Sequence, residues 1–371
     1  MAPGGIPTTM LAAQLVEYDK PYEVREIPTP TTLRPHDMLV RVAVGSLCHT
    51  DGMVIAGVFK TKLPCTASHE GAGTVAVLGS QVHDFKVGDR VLCGLTYGRC
   101  GECEDCKGPE EGNQYCTKSG GTLGVTINGN FAEYVVIDAR EASLLPENLT
   151  FQSAAPLACA GTTICEMRGG IVRAELKPGQ SLAIVGAGGG LGHLGIQMAK
   201  ALGLHVIAID ARDEGLALAR SCSADIVLDA RIGKEHVVSE VQKATSGNGA
   251  DATINVSDAS SAAALAAAVT RMHGRMVQIA QPTEVVVPFQ EIVFRDIRVL
   301  GSLTSSRGEA QKMLKLVAEH GIKVETNPFI GLKEVRKCVE LAHSGKMKGK
   351  GVILIDGEAI EKEKRSGVNM I

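Results

Sequence analysis

Ser181-Leu182-Ala183-Ile184-Val185-Gly186-Ala187-Gly188-Gly189-Gly190-Leu191-Gly192 is the stretch whose reading decides the fold of this 371-residue chain. The apolar run ending at Val185 is the pattern of a strand buried on both faces. Glycines follow, and a helical stretch runs from about Leu191 to Leu202. Glycines in that place allow a tight turn and let a pyrophosphate approach the N–H groups at a helix start. Ala187-x-Gly189-x-x-Gly192 fits the dinucleotide fingerprint with alanine in first place, in a turn one residue longer than the minimal one. Gly188, Gly189, Gly190, Leu191 and Gly192 are therefore candidates for binding a nucleotide. The next strand, His205 to Ile209, ends at Asp210, the acidic residue the fingerprint asks for ~20 residues on. A carboxylate there can bond both ribose hydroxyls and repels a 2′-phosphate, which favours NAD over NADP. Arg212 tempers this, because an arginine can accept that phosphate.

Outward from this turn, short apolar runs recur at 226–228, 252–256, 276–280 and 299–300. Helix-like segments lie between them, including an alanine-rich one from Ser260 to Met272. Six strands alternating with helices predict a doubly wound parallel sheet. The first third is different. β-branched runs at 39–44, 73–78, 87–92 and 131–137, broken by Gly and Pro, predict a barrel-like β domain. Past Ser305, helical patterns at 309–319 and 332–343 and a strand at 351–355 are expected to return to it. The predicted division is 1–160 with 305–371, and 161–304.

Cys100, Cys103, Cys106 and Cys116 sit on one short, glycine-containing lobe near 98–118. Zinc takes four thiolates in a tetrahedron, and the spacing predicts such a site. Left without metal, it would expose four reactive thiols. A nucleic-acid zinc ribbon is opposed by the local acids Glu102, Glu104, Asp105, Glu110 and Glu111. Cys48, His69 and Cys159 are scattered, but as a set they offer three ligands and an open position, the arrangement of a catalytic zinc. Glu70, next to His69, could enter that sphere when substrate is absent.

Net charge is −3 at pH 7, with no basic excess for nucleic acid or an anionic membrane. No apolar run reaches the length of a membrane span. Met1 to Thr9 reads as a loose tail and not as a signal peptide. Eleven cysteines, an odd count with C-x-x-C spacing, favour reduced thiols and metal over disulfides. A cytoplasmic setting is the default.

Taken together, Cys48-His49-Thr50-Asp51, His69-Glu70-Gly71-Ala72-Gly73, the four-cysteine lobe, Ala155-Pro156-Leu157-Ala158-Cys159-Ala160-Gly161, the glycine turn and Ile254-Asn255-Val256-Ser257 resemble the zinc-containing alcohol dehydrogenases of the medium-chain dehydrogenase/reductase family. The resemblance runs from about Ala12 to Asp356 and is nearest the fungal and bacterial tetrameric branch. It implies a Rossmann sheet plus a discontinuous GroES-like catalytic domain. It also implies two zinc ions per chain, hydride exchange between an alcohol and NAD, and a homotetramer, a dimer being the alternative. Cys48, His69 and Cys159 would bind the catalytic zinc. Thr50 would pass the alcohol proton outward, His49 would lie by the pyrophosphate, and Asp51 would orient His69. Thr163 would face the nicotinamide, with Ile279 and Leu303 lining its pocket.

Departures from the family pattern are specific. Met53 stands where a relay histidine is common. Nine residues, not seven, precede the last lobe cysteine, Ser68 replaces a glycine, and Lys350 replaces an arginine that meets the cofactor phosphates. Phe59 and Leu95 stand roughly where tryptophans narrow the pocket of small-alcohol enzymes, which predicts a bulkier alcohol or aldehyde. A pathway-specific aldehyde or ketone reductase of secondary metabolism using NADPH is the second reading. A zinc scaffold without activity is the third, separable by counting zinc.

Overall fold

The computed structural model describes residues 5–165, 170–366 and 371. Residues 1–4, the first part of the predicted N-terminal tail, and 367–370 lie outside them. The chain divides into two compact units. One comprises 1–159, 306–318 and 326–371; the other comprises 160–305 and 319–325.

In the second unit Ser181–Val185 is buried at every position. It pairs in parallel with His205–Asp210 on one side and with Ala250–Asn255 on the other. An interior parallel strand needs both faces apolar, which is why its sequence does not alternate. Ile226–Asp229, Thr270–Gln278 and Arg298–Gly301 complete a six-stranded, wholly parallel sheet. The chain reverses its direction of travel across the sheet at Ser181–Val185, so the glycine turn opens at the switch point, where such sheets bind ligands. The core joins Ala183, Ile207, Ile209, Val237, Val241, Leu265 and Met276.

The alanine-rich helix is shorter than its composition predicts. It spans Ala262–Val269, and Thr270 to Met272 already belong to the following strand. Thr270 is extended, and its hydroxyl donates to the Ala266 carbonyl at 2.7 Å, closing the helix end.

The first unit is built on Asp37–Ser46, which pairs with Glu70–Leu78, Tyr134–Asp138 and Lys350–Leu354. The C-terminal segment thus inserts its strand beside one made ~300 residues earlier. Met38, Val40, Val42, Val75, Val91, Val135 and Ile137 fill one face of the sheet. Leu15, Leu47, Val54, Phe131, Val335 and Ile353 fill another cluster. Thr326–Ile330, absent from the sequence reading, forms the edge beside Lys350–Leu354. It is polar and contains Pro328, which is tolerated at an edge but not inside a sheet. A helix, Gly357–Lys364, follows the last strand and was likewise not legible.

Candidate active site and metal centres

The four lobe cysteines converge. Their Sγ atoms lie 3.9 Å (Cys100–Cys106), 3.8 Å (Cys103–Cys116) and 3.6 Å (Cys100–Cys116) apart. Bonds of about 2.3 Å in a tetrahedron require S···S separations of about 3.8 Å, so the cradle has the size of a zinc ion. A disulfide needs about 2.05 Å, and all eleven cysteines are free. The N–H groups of Glu102 and Cys103 donate to Cys100 Sγ at 3.4 and 3.3 Å. They hold the Cys100 thiol down at about 6, ready to serve as thiolate. Gly101, with φ +72°, makes the turn that aims those donors.

The scattered set also converges. Single donor atoms from Cys48, His69, Glu70 and Cys159 all lie within 4.8 Å of one another. They arrive on three elements. Cys48 caps the short helix His49–Ile55, His69 and Glu70 enter the strand Glu70–Leu78, and Cys159 sits in a π-helical turn, Leu157–Gly161. That turn continues the helix Phe151–Pro156, and a π-bulge inside a helix commonly marks a functional site. His69 is buried and its ring hydrogen-bonds to Cys48 within the set, so the donors brought together, two thiols and an imidazole, are ones that zinc takes.

The electrostatics suit a cation. The Cys159 thiol hydrogen-bonds to Cys48, which is the main reason Cys48 falls well below the ordinary thiol value; the same bond holds Cys159 well above it. Burial alone would lower His69, but the Cys48 thiolate, with Asp51 and Glu70, raises it to about 9. Burial pushes Glu70 up to about 7, against the opposing pull of Lys350. Lys350 Nζ donates to Glu70 Oε1 at 2.9 Å and lies 2.6 Å from Oε2. Lys350 is 4 % exposed and Glu70 fully buried, so this is an interior ion pair at the cluster. The sequence reading placed Lys350 at the phosphates; the geometry commits its ammonium to Glu70.

Asp51 works through the backbone. Its carboxylate accepts the N–H of Cys48 at 2.8 Å and the N–H of Ser68 at 3.0 Å. It thereby ties the two segments that carry the first sulfur and the imidazole. Its influence on His69 is electrostatic, where the sequence reading expected it to orient the ring directly. Ser68, at φ +71° where glycine is usual, is steadied by its hydroxyl, which donates to the Ser46 carbonyl at 2.8 Å. The Thr50 hydroxyl lies 3.8 Å from Cys48 Sγ. His49 is exposed on the same short helix, beside Met53.

In the second unit the glycine turn assigns its residues by space. Gly186 takes φ +85°. A side chain on Gly188 would meet Gly215 backbone at 2.0 Å, and one on Gly192 would meet the Gly186 carbonyl at 2.4 Å. Gly189, Gly190 and Leu191 form the partly exposed lip. The tight-turn position is therefore Gly186 and not Ala187, and the spacing is G-x-x-G-x-x-G over Gly186, Gly189 and Gly192. Asp210 accepts from Gly188 N at 2.8 Å, Ala211 N at 2.9 Å and Arg212 N at 3.0 Å. Arg212 approaches Asp210 at 3.5 Å and Gly189 from its open side. His193, which the sequence reading passed over, contacts the Gly189 carbonyl through Nδ1 at 3.0 Å and accepts the Glu325 N–H at Nε2, 3.1 Å. Thr163 is buried in the helix Thr162–Ile164, Ile279 is 8 % exposed, and Leu303 is 42 % exposed.

A β-rich unit gathering two cysteine-containing donor sets, joined to a doubly wound unit with a glycine turn, defines a metal- and nucleotide-dependent oxidoreductase. Comparison with known proteins is specific. Residues 34–147 match the alcohol dehydrogenase GroES-like domain, and residues 190–319 match the zinc-binding dehydrogenase domain. Alcohol dehydrogenase 1 of Emericella nidulans is 34% identical over 94% of this chain and 98% of its own length. An alcohol dehydrogenase of Geobacillus stearothermophilus is 32% identical over 94% and 100%. The alcohol dehydrogenase structure from Aeropyrum pernix superposes with TM-score 0.84 at 29% identity, covering 93% of this chain and 99% of that one. A cinnamyl alcohol dehydrogenase from Sorghum bicolor superposes at 0.83 with 26% identity, covering 94% and 98%. The chain belongs to the zinc-containing alcohol dehydrogenases of the medium-chain dehydrogenase/reductase family. It is a zinc-dependent alcohol dehydrogenase that uses a nicotinamide cofactor and acts on small-molecule alcohols or aldehydes. No helix among the described residues is long and apolar enough to cross a membrane.

Proposed function

We propose that this enzyme holds two zinc ions per chain and exchanges hydride between NAD and a bulky or aromatic primary or secondary alcohol. The observation that carries this is the meeting of Cys48, His69, Glu70 and Cys159 from remote stretches of chain, with the Thr50 hydroxyl on the Cys48 sulfur. Cys48, His69 and Cys159 would hold the catalytic zinc; Cys100, Cys103, Cys106 and Cys116 would hold the structural one. When bound, the ion at the first set supplies Lewis acidity toward an alcohol oxygen. Thr50 accepts the hydroxyl proton and hands it on. Met53 has no ionisable group, so the proton leaves by water or a ribose hydroxyl. Lys350 holds the Glu70 carboxylate, whose oxygens could otherwise compete for the open position. The lip Gly189-Gly190-Leu191 receives the pyrophosphate, and Thr163, Ile279 and Leu303 flank the nicotinamide. The domain division is drawn at 160 and 305.

NAD is supported by Asp210, buried at the end of its strand with its carboxylate at the glycine turn. The second reading, reduction of an aldehyde or ketone with NADPH, is supported by the Arg212 guanidinium beside Gly189. Asp210→Asn keeps an acceptor for the Ala211 and Arg212 N–H groups, gives up the bond from Gly188 N–H, and removes the repelling charge. It should narrow the kcat/KM preference for NAD over NADP by roughly 10–100-fold. Unchanged discrimination would remove Asp210 from cofactor choice.

The bulky substrate is supported by Phe59 and Leu95 in place of tryptophans, and by the exposure of Val58 and Phe59 on one loop. The name of the sorghum structure points the same way. The test is a panel of alcohols and aldehydes with each cofactor: benzylic and longer alcohols should exceed ethanol by about 10-fold or more in kcat/KM. Highest turnover on ethanol would sink the claim. A homotetramer, or a dimer, is supported by the exposed edge strand Arg298–Gly301 and the exposed Phe289, Val293 and Phe294 nearby. Eleven free thiols support a cytoplasmic setting.

A further inference from the structure

The helix Gly357–Lys364 lies beyond Asp356, where the resemblance to the family ends, and its attachments are one-sided. Asp356 caps it, accepting from Glu358 N at 3.1 Å and Ala359 N at 3.2 Å, and Arg41 pins Asp356 at 2.8 Å. About two turns of helix are thereby held so that Ile360 and Glu363 face inward, each 8 % exposed. A buried glutamate must have partners. Glu363 has two. Its carboxylate oxygens each accept the N–H of Phe151 at 3.1 Å, and it is ion-paired with Arg90. Arg90 in turn donates to the carbonyls of Pro146 and Glu147 at 3.3 Å and of Leu149, and lies over the Phe151 ring at 4.8 Å. Ile371 adds a further tie, its N–H to the Asn148 carbonyl at 2.8 Å.

These bonds hold the loop 146–149, and those of Glu363, with the Arg90 contact to the ring, fall on Phe151, the first residue of the helix Phe151–Pro156. That helix packs against Asp37–Ser46, Glu70–Leu78 and Lys350–Leu354, and runs directly into the π turn that carries Cys159. Eight residues at 1.5 Å each put Cys159 about 12 Å along from the anchored end. The helix start is also capped by the Thr150 hydroxyl, which accepts Ser153 N–H at 3.1 Å. It contains Pro156, which lacks an N–H to reinforce it.

We infer that Glu363 is a positioning residue: the helix Gly357–Lys364, through Glu363 and Arg90, anchors the start of the helix that presents Cys159 to the catalytic metal. The inference rests on the reading of Cys159 as a zinc ligand. A partner that sets the orientation of a ligand governs how tightly the metal is held, typically by 10–100-fold. The effect should be selective, because the four-cysteine lobe shares none of these contacts.

The test is the rate at which a colorimetric chelator strips zinc from the holoenzyme, read beside kcat and KM. Glu363→Ala should release one of the two zinc ions about 10-fold faster and leave the other at the parent rate, with kcat falling more than KM. Glu363→Gln keeps an acceptor for Phe151 N–H and should stay within about threefold of the parent. Arg90→Lys keeps a cation but drops the fork of carbonyl bonds. It should show the same selective release at about threefold, and it carries the test if Glu363→Ala does not fold. Equal acceleration at both ions, or parent rates in both Glu363→Ala and Arg90→Lys, overturns the inference. Cys159→Ser separates the premise from the inference. If it still binds two zinc ions, the site reading fails. If it binds one while Glu363→Ala releases both at parent rates, only the anchor fails.

Discussion

Cys159→Ser should bind one zinc ion in place of two and lose kcat by ~10³-fold or more, about 4 kcal/mol of transition-state stabilisation. A serine hydroxyl is a poor zinc ligand beside a thiolate, and the remaining donors, Cys48 and His69, would have to recruit Glu70. That carboxylate is already held by Lys350 at 2.6–2.9 Å inside the protein. Pulling it away would leave a buried ammonium unpaired, which is strongly unfavourable. Folding should survive, because Cys159 is one small side chain in a turn between helices, and nucleotide binding should persist because the glycine turn is untouched. Metal analysis with steady-state kinetics decides it. A variant retaining two zinc ions, or a tenth of parental turnover, would contradict the assignment.

Cys103→Ser should act on stability first. The lobe has little else to hold it. Between Gly98 and Lys118 the buried side chains are few, Asn113 and Cys116 among them, and the local helices Glu104–Lys107 and Glu110–Tyr115 are only one and about two turns long. Four sulfurs 3.6–3.9 Å apart are its core. Zinc bound by four thiolates contributes folding free energy directly. Loss of the ion should lower Tm by roughly 10 °C, at a few degrees per kcal/mol for a domain of this size. Proteolytic nicking should concentrate within 98–118. One carboxylate extends the damage: Glu110 accepts the Gly308 N–H at 2.8 Å, at the start of the helix Arg307–His320. A variant with two zinc ions and an unchanged Tm would remove the structural role.

The fold was legible where residue type and spacing have one physical solution. Four cysteines on a short lobe, and an apolar strand running into glycines, leave few alternatives. Cys48, His69 and Cys159 were legible only as a set, because nothing local marks a lone cysteine as a ligand. What could not be read is carried by tertiary context. Thr326–Ile330 is a strand because Lys350–Leu354 offers it an edge, not because Asn327 and Pro328 favour one. Lys350 carries the same charge whether it meets a phosphate or a carboxylate; only the fold pairs it with Glu70. Asp51 was expected at the imidazole because the family resemblance implies it. The N–H groups of Cys48 and Ser68 claimed its oxygens instead, and such backbone donors have no signature in sequence.

The pairing of Val352 with Ser46 has a consequence for biosynthesis. At ribosomal speeds, the roughly 300 residues between them take on the order of 15–60 s to make. Throughout that interval the Val44–Ser46 end of the strand lacks its second neighbour, Tyr134–Asp138 covering only Asp37–Arg41, and an open, apolar strand edge invites aggregation. The last strand of the nucleotide-binding sheet, Arg298–Gly301, is made before Lys350–Leu354, for which the first domain must wait. Chaperone cover during translation, more than final stability, should then govern the yield of soluble enzyme.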